Sequence, residues 1–167
     1  MNNTSYLEQI AAEAGLNDRE VNLFAAVCNT RQFNTGEMIM TADKLSPEIF
    51  LLVEGVISVF QEVAHDRRVE HFSLEPVSLV GPLATSHTPN LVFDYVAKEA
   101  ALCLTISRDD LHSMERAQSP LSSKLLCFFY REVARVQKRH IDCLVGFHNI
   151  PGKTVARLRE LSPPPTL

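Results

Sequence analysis

The sequence predicts an α+β fold, with N-terminal helices, a compact antiparallel barrel or jelly-roll-like sandwich, and a long C-terminal helix. Three observations carry this prediction. Helical periodicity with capping residues occupies residues 4–30. Short segments with period-two alternation then recur about every ten residues between turn signals, six or more in all. Residues 121–147 finally repeat apolar side chains every three or four positions.

Two short helices are predicted at the N-terminus. Residues 4–15 form the first, and Gly15 supplies its stop. Residues 16–30 form the second, with Asn17 or Asp18 as its cap and an apolar face. Because neither helix is long enough to be stable alone, we expect both to pack on a larger body.

The middle of the chain consists of short alternating segments bounded by Gly, Asn, Asp and Glu. Tight turns are predicted at residues 34–36, 54–55 and 65–68. Strands separated by turns of this length pair in an antiparallel manner. The predicted strands cover residues 31–33, 37–40, 48–53, 56–63, 69–74 and 102–106.

Residues 74–97, which we call the cradle, are two apolar runs joined by small, polar, Pro and Gly residues. This composition suggests a seat for a small ligand, because Gly81 permits a close approach of the backbone. Between Arg68 and Lys98, however, the sequence contains no Lys or Arg. A phosphate would meet only backbone N–H groups, hydroxyls and histidines there, so the chemistry disfavours an anionic ligand.

A short helix is predicted from Ser107 to residue 117, and the long helix follows Pro120. The apolar stripe of the long helix is longer than one small barrel covers, so part of it is expected to pack on a second copy. The sequence therefore predicts a homodimer. The stripe consists of Leu125, Phe129, Val133, Val136 and His140.

Composition limits the classes of partner and the compartment. A net charge of -4 and a pI near 5.8 disfavour non-specific binding to nucleic acid or to anionic membranes. No signal peptide and no membrane span is recognisable, so a cytoplasmic protein is expected. The four cysteines have no metal-site spacing and are expected to be buried or half-buried free thiols.

Catalytic and metal-binding motifs are missing from the sequence. No HxH pair, GxSxG, P-loop or GxGxxG occurs. We therefore expect no enzyme, no cofactor and no metal site.

Three sequence blocks, in their order and spacing, resemble the cyclic nucleotide-binding domain family, and specifically bacterial regulators of the catabolite-activator/FNR type. Residues 33–39 (FNTGEMI) resemble the first strand and its Gly-Glu step, and residues 49–59 (IFLLVEGVISV) resemble the central hairpin. Residues 104–111 (LTISRDDL) resemble the last strand and the following helix. The resemblance covers residues 16–161 and implies an antiparallel β-roll, a double-stranded jelly-roll-like barrel.

With this resemblance the chain divides into four regions. The implied regions are 1–30 (N-terminal helices), 31–118 (β-roll), 119–147 (dimerisation-type helix) and 148–167 (short helical tail).

The resemblance also locates the ligand pocket within the cradle. In the family a Phe-Gly-Glu step supplies a glutamate for the ribose hydroxyl, and an arginine then neutralises the cyclic phosphate. Here the step is Val80-Gly81-Pro82, and the arginine position falls on or near Leu91. The implied pocket residues are Gly81, Pro82, Leu83, Ala84, Thr85, Leu91 and Val92.

The loss of both polar anchors weakens the case for a cyclic nucleotide. Each charge-assisted hydrogen bond contributes about 1.5–3 kcal/mol, so losing two reduces the affinity on the order of a thousandfold or more. We therefore expect a degenerate pocket, filled by its own apolar side chains.

The function implied is that of a non-enzymatic regulatory module that acts through a protein partner, or through a ligand other than cAMP. Two alternatives stay open at this point. One is a transcription regulator without its DNA-binding half, because residues 147–161 resemble only the helix that opens a winged helix-turn-helix. DNA binding by this chain alone is disfavoured. The other alternative is a sensor of another small ligand, such as a cyclic dinucleotide.

Overall fold

The computed structural model describes residues 3–42, 44, 46–64, 67–81 and 93–148. Its first elements are helices α1 (Asn3–Ala14) and α2 (Asp18–Val27). Gly15 ends α1 with a φ of +68°, as predicted. Asn17 caps α2 and forms a capping box with Glu20, in which each side chain accepts a hydrogen bond from the other residue's backbone N–H.

Eight strands form two four-stranded sheets within the described residues. The first sheet has the strand order β1-β8-β3-β6 and the second has the order β2-β7-β4-β5, and all the pairings are antiparallel. The strands are β1 (Cys28–Phe33), β2 (Met38–Met40), β3 (Glu48–Glu54), β4 (Ile57–Ala64), β5 (Arg67–Leu74), β6 (Ser78–Val80), β7 (Phe93–Ala97) and β8 (Ala101–Ser107).

Two further helices follow the sheets. Helix α3 (Arg108–Arg116) is capped by the Ser107 hydroxyl, which accepts a hydrogen bond from the Asp110 N–H, as the sequence indicates. Helix α4 (Pro120–His148) starts at Pro120, where the missing N–H of proline carries no penalty in a first helical turn. It packs against β5, β6, α1 and α3.

Alternation along β3 divides the apolar side chains into two clusters. Leu51 faces the helices together with side chains of α1, α2, α3 and α4, and we call this cluster the helix core. Leu52 faces the space between the two sheets, and we call that cluster the interior core. Because strand side chains point alternately to opposite faces, the first sheet belongs to both cores.

The predicted antiparallel β-roll with N-terminal helices and a long C-terminal helix is confirmed. Two details differ. The sheets remain separate rather than closing into one barrel. The sequence also assigns residues 28–30 to the second helix, which is wrong, because Cys28 and Thr30 pair with Ile106 and Leu104 of β8. Their backbone hydrogen bonds therefore complete the sheet rather than the helix.

Candidate ligand site

Gly81 directly follows β6 and lies within the cradle. Its φ is +81°, a left-handed backbone conformation that favours glycine. A Cβ atom at this position would lie 2.8 Å from the Sδ atom of Met40, a buried side chain of the interior core. The space beside the Gly81 backbone is therefore already occupied by a thioether.

Gly81 is the part of the predicted pocket that the structure describes. Residues 82–92, which include the predicted pocket residues Pro82, Leu83, Ala84, Thr85, Leu91 and Val92, lie outside the described residues. Their roles stay predictions from the sequence. The walls that flank them are β6 and β7, which pair with β3 and with β2 and β4 respectively.

Aromatic side chains line the space between the sheets. Phe33 and Phe50 meet edge to face with ring centroids 6.0 Å apart. Phe93, the first residue of β7, meets the ring of His71 at 5.4 Å and packs on the interior core. Burial of the nearby Tyr95 raises the pKa of its phenol to about 12, so this side chain stays neutral. These residues favour an apolar lining.

The two cations that border the cradle are engaged with carboxylates. Arg68 Nε lies 3.3 Å from Asp94 Oδ2. The other oxygen of Asp94 accepts a hydrogen bond of 2.7 Å from the backbone N–H of Ala42. Asp94 is largely buried on β7, so one carboxylate fastens β7 both to β5 and to the segment after β2.

Lys98 is held in a second polar cluster. Its ammonium donates to Glu70 Oε1 at 3.0 Å, and the same oxygen accepts hydrogen bonds from Ser58 at 2.7 Å and from Ser73 at 2.9 Å. The Ser58 hydroxyl and then Lys98 hold the pKa of Glu70 below its ordinary value. Arg68 and Lys98 would thus have to give up existing partners before binding an anion.

The apolar stripe predicted for the long helix packs largely on the protein's own cores. Leu125 and Phe129 are 0% and 1% exposed and belong to the helix core. Val133 packs on the same core and Val136 packs on the interior core, and both are half-buried. The side chain of His140 is outside the described residues. The expectation that Leu125 and Phe129 contact a second copy is wrong, because neither side chain is accessible.

A different row of α4 side chains is exposed, and we call it the exposed stripe. Its members follow one another at alternating intervals of three and four, the spacing of a helix seam. Tyr130 and Ile141 are each 58% exposed, which is unusual for side chains of this size and polarity. The exposed stripe consists of Cys127, Tyr130, Ala134, Gln137 and Ile141.

A buried carboxylate connects α4 to α1. The side chain of Glu132 is 2% exposed, and its Oε1 accepts a hydrogen bond of 2.6 Å from Arg135. Arg135 also lies 3.4 Å from Glu13 Oε2 on α1, and Arg131 donates to the Glu13 carbonyl. Burial raises the pKa of Glu132, with Arg135 acting in the opposite direction.

The cysteines follow the expectation only in part. Cys28 is half-buried and Cys103 is buried, and burial raises the pKa of both thiols to about 12. Cys127 is exposed, contrary to the expectation for free thiols in this chain. The described residues contain no cluster of three or more potential metal ligands. None of the described helices has the length and apolar composition needed to cross a bilayer.

A sequence model of one domain family matches the chain. The family is described as the cyclic nucleotide-binding domain, and the match covers residues 30–117, from β1 to the end of α3. This range contains both sheets and the cradle. No curated protein sequence matches the chain significantly.

Solved structures of low sequence identity have the same fold. A cyclic nucleotide-binding domain from Methylobacillus flagellatus superimposes with a TM-score of 0.74 at 13% identity, covering 85% of this chain and 84% of that one. The catabolite activator protein of Thermus thermophilus gives a TM-score of 0.59 at 21% identity, covering 78% of this chain and 61% of that one. The c-di-GMP responsive global regulator CLP of Xanthomonas campestris gives 0.66 at 16% identity, covering 87% and 70%.

Proposed function

Because this chain belongs to the cyclic nucleotide-binding domain family, we propose that it is a non-enzymatic, cytoplasmic regulatory module whose nucleotide pocket is degenerate. It does not bind cAMP in the usual manner of the family. It acts instead by contacting a protein partner, and it dimerises through α4.

The observation that carries the degenerate pocket is the pair of residues at the anchor positions. Pro82 stands where the family has the ribose glutamate, and Leu91 stands at or next to the position of the phosphate arginine. Neither side chain can form a charge-assisted hydrogen bond. A cyclic phosphate would therefore lose its two strongest partners.

The described part of the roll supports this proposal in two ways. The Met40 side chain fills the space beside Gly81, so a ligand that approached this backbone would have to displace it. Arg68 and Lys98 already bind Asp94 and Glu70, so neither is free to replace the missing arginine without breaking a contact. An anion in this site would meet an apolar wall and occupied cations.

Dimerisation is proposed through the exposed stripe rather than through the stripe that the sequence indicates. A second α4 packed along Tyr130, Ala134 and Ile141 would bury two large apolar side chains from each copy. Small residues beside large ones let two helices approach closely in a left-handed pair. The interval pattern of the stripe supports a helix partner rather than a strand.

Isothermal calorimetry with cAMP and cGMP tests the pocket. The wild-type chain is expected to show no binding at micromolar ligand, and micromolar binding of either nucleotide would contradict the proposal. A Pro82→Glu, Leu91→Arg variant restores both anchors and is expected to gain affinity on the order of a thousandfold. A pull-down with the wild-type chain as bait would then identify the protein partner.

A cyclic dinucleotide is the second candidate ligand. The similar regulator of Xanthomonas campestris responds to c-di-GMP. Arg131, Arg135 and Arg139 lie four residues apart along one side of α4, and Arg139 donates to the Ser78 hydroxyl at 3.5 Å. Calorimetry with c-di-GMP separates this candidate from the first. Binding that is lost in Arg139→Ala would favour the dinucleotide.

A further inference from the structure

A groove of about 620 Å³, open to solvent, lies between helices α1 and α2. Leu7 and Ala11 of α1 form one wall, and Val21 and Ala25 of α2 form the other. Leu16, in the connection between the helices, also lines the groove. Six of the nine lining residues are apolar and the other three are Glu8, Asp18 and Asn22, so the groove offers a mainly apolar surface on which an apolar helix face can be buried.

Each wall of the groove carries an exposed carboxylate. Glu8 lies on α1 and Asp18 lies in the first turn of α2, and both line the groove. Two further acidic residues of these helices already form ion pairs. Glu13 pairs with Arg135, and Glu20 pairs with Lys124. The groove therefore selects a partner with an apolar face and a positive charge on each flank.

The sequence contains one segment with this chemistry that the proposed function does not use. Residues 153–161, KTVARLREL, which we call the tail segment, place Val155, Leu158 and Leu161 on one face of a helix. Arg157 and Arg159 stand on opposite edges of that face at 100° per residue. The pattern is the complement of the groove, apolar against apolar and one cation for each acidic wall.

We propose that the tail segment docks in the groove between α1 and α2 of its own chain. Its apolar face covers the lining, and its two arginines pair with Glu8 and Asp18. The chain thereby carries its own occupant for this surface. A partner of the same chemistry would bind there only by displacing the tail, so the contact is autoinhibitory.

The chain is long enough for this return. Arg135 contacts Glu13 of α1, and α4 continues for about 20 Å from Arg135 to His148 at 1.5 Å per residue. Residues 149–152 span up to about 17 Å when extended. The nine residues of the tail segment add about 13 Å as a helix, so the connection and the segment together can reach back to the level of α1.

Amide hydrogen exchange of the full chain tests the docking. In the wild type, residues 153–161 are expected to exchange about tenfold more slowly than an unprotected peptide. Glu8→Arg, which reverses one wall charge, and Ala25→Trp, which fills the groove from an exposed position, are each expected to abolish this protection. Glu99→Arg is the matched control, since this exposed carboxylate lies between β7 and β8, and it should leave the protection intact.

A charge swap decides between docking and an indirect effect. Combining Glu8→Arg with Arg157→Glu or with Arg159→Glu is expected to restore the protection in one of the two pairs. The proposal is overturned if the wild-type tail exchanges at the unprotected rate, if neither groove variant changes its rate, or if neither swap restores it. Protection that falls on tenfold dilution would also overturn it, since the occupant would then come from a second copy.

Discussion

Gly81 joins the candidate pocket to the interior core. Its φ of +81° suits glycine, and a Cβ would lie 2.8 Å from Met40 Sδ. Gly81→Ala is therefore expected to lower the free energy of unfolding by about 1–3 kcal/mol, because it adds backbone strain and displaces a buried side chain. Urea denaturation followed by circular dichroism measures the change.

Gly36 provides the control for this substitution. Its φ of +82° is nearly the same, but no atom lies within 4 Å of the position that a Cβ would take. Gly36→Ala is expected to lower stability by the strain alone, about 1 kcal/mol. Equal losses at the two glycines would mean that the Met40 side chain moves aside freely.

Arg135 neutralises a carboxylate that is almost completely buried. Arg135→Ala leaves Glu132 without its closest cation, so we expect the free energy of unfolding to fall by about 1–2 kcal/mol at neutral pH. The expected decrease is small because the Arg135 side chain is itself largely exposed to solvent. Burial raises the pKa of Glu132 above its ordinary value of 4.5, so the folded state binds the proton more tightly than the unfolded state. As pH falls from neutral towards 4.5, Glu132 becomes protonated in the folded state and no longer needs a cation. The decrease in the free energy of unfolding caused by Arg135→Ala should therefore become smaller.

Chemical denaturation between these pH values measures the effect. The control is Lys138→Ala on the same helix, where Lys138 and Asp142 form an exposed pair at 2.6 Å. Its effect should stay below about 0.5 kcal/mol. A loss in Arg135→Ala that is independent of pH would contradict the role given to Glu132.

At the scale of the element, helix α4 has two apolar rows with different partners. Tyr130→Glu places a charge in the exposed stripe, and we expect it to convert a dimer into a monomer without lowering the stability of the protomer. Multi-angle light scattering at tens of micromolar protein measures the oligomeric state. The protomer tolerates the change because Tyr130 is 58% exposed.

A charge change off the stripe is the control for the dimer. Asp142→Lys alters an exposed residue further round the helix and should leave the oligomeric state unchanged. A wild-type chain that is monomeric at tens of micromolar, or a Tyr130→Glu variant that remains dimeric, would rule out this use of α4.

The period of apolar residues locates α4 in the sequence but does not say what covers each face. The row through Leu125 and Phe129 has the spacing of a dimer seam, yet it packs on the helix core. Which face of α4 is buried depends on where β5, β6 and α1 lie. The contacts of α4 with these elements join residues far apart in the sequence. The misassigned end of α2 has the same cause, because pairing with β8 outweighs local helix propensity at Cys28.

At the scale of the whole molecule, the first sheet is shared by two cores. Leu52→Ala opens a cavity in the interior core and Leu104→Ala opens one in the helix core, and each is expected to cost about 2–5 kcal/mol. Because β3 and β8 contribute to both cores, each variant should still unfold in a single transition. Calorimetry and circular dichroism together test this, and two resolved transitions would show that the cores unfold separately.

The sequence alone predicts the class of fold and the caps at Asn17 and Ser107, whereas the anchor positions assigned to Pro82 and Leu91 stay predictions. These features are local, because each depends on a residue and its near neighbours. The contacts of the candidate site, by contrast, join residues that are far apart in the sequence. Met40 reaches Gly81 from a distant strand, and Asp94 accepts from Ala42 across a separation of 52 residues. The spacing of residues in the sequence does not predict such contacts.

The two contacts of Asp94 constrain the register of β7. Side chains alternate along a strand, so a slip of one residue would turn Asp94 inward and bury its charge away from Arg68 and from the Ala42 N–H. The register of β7 is therefore fixed by this carboxylate as well as by the backbone pairing of β7 with β2 and β4. Because Arg68 belongs to β5, the same carboxylate makes the position of β5 depend on the register of β7.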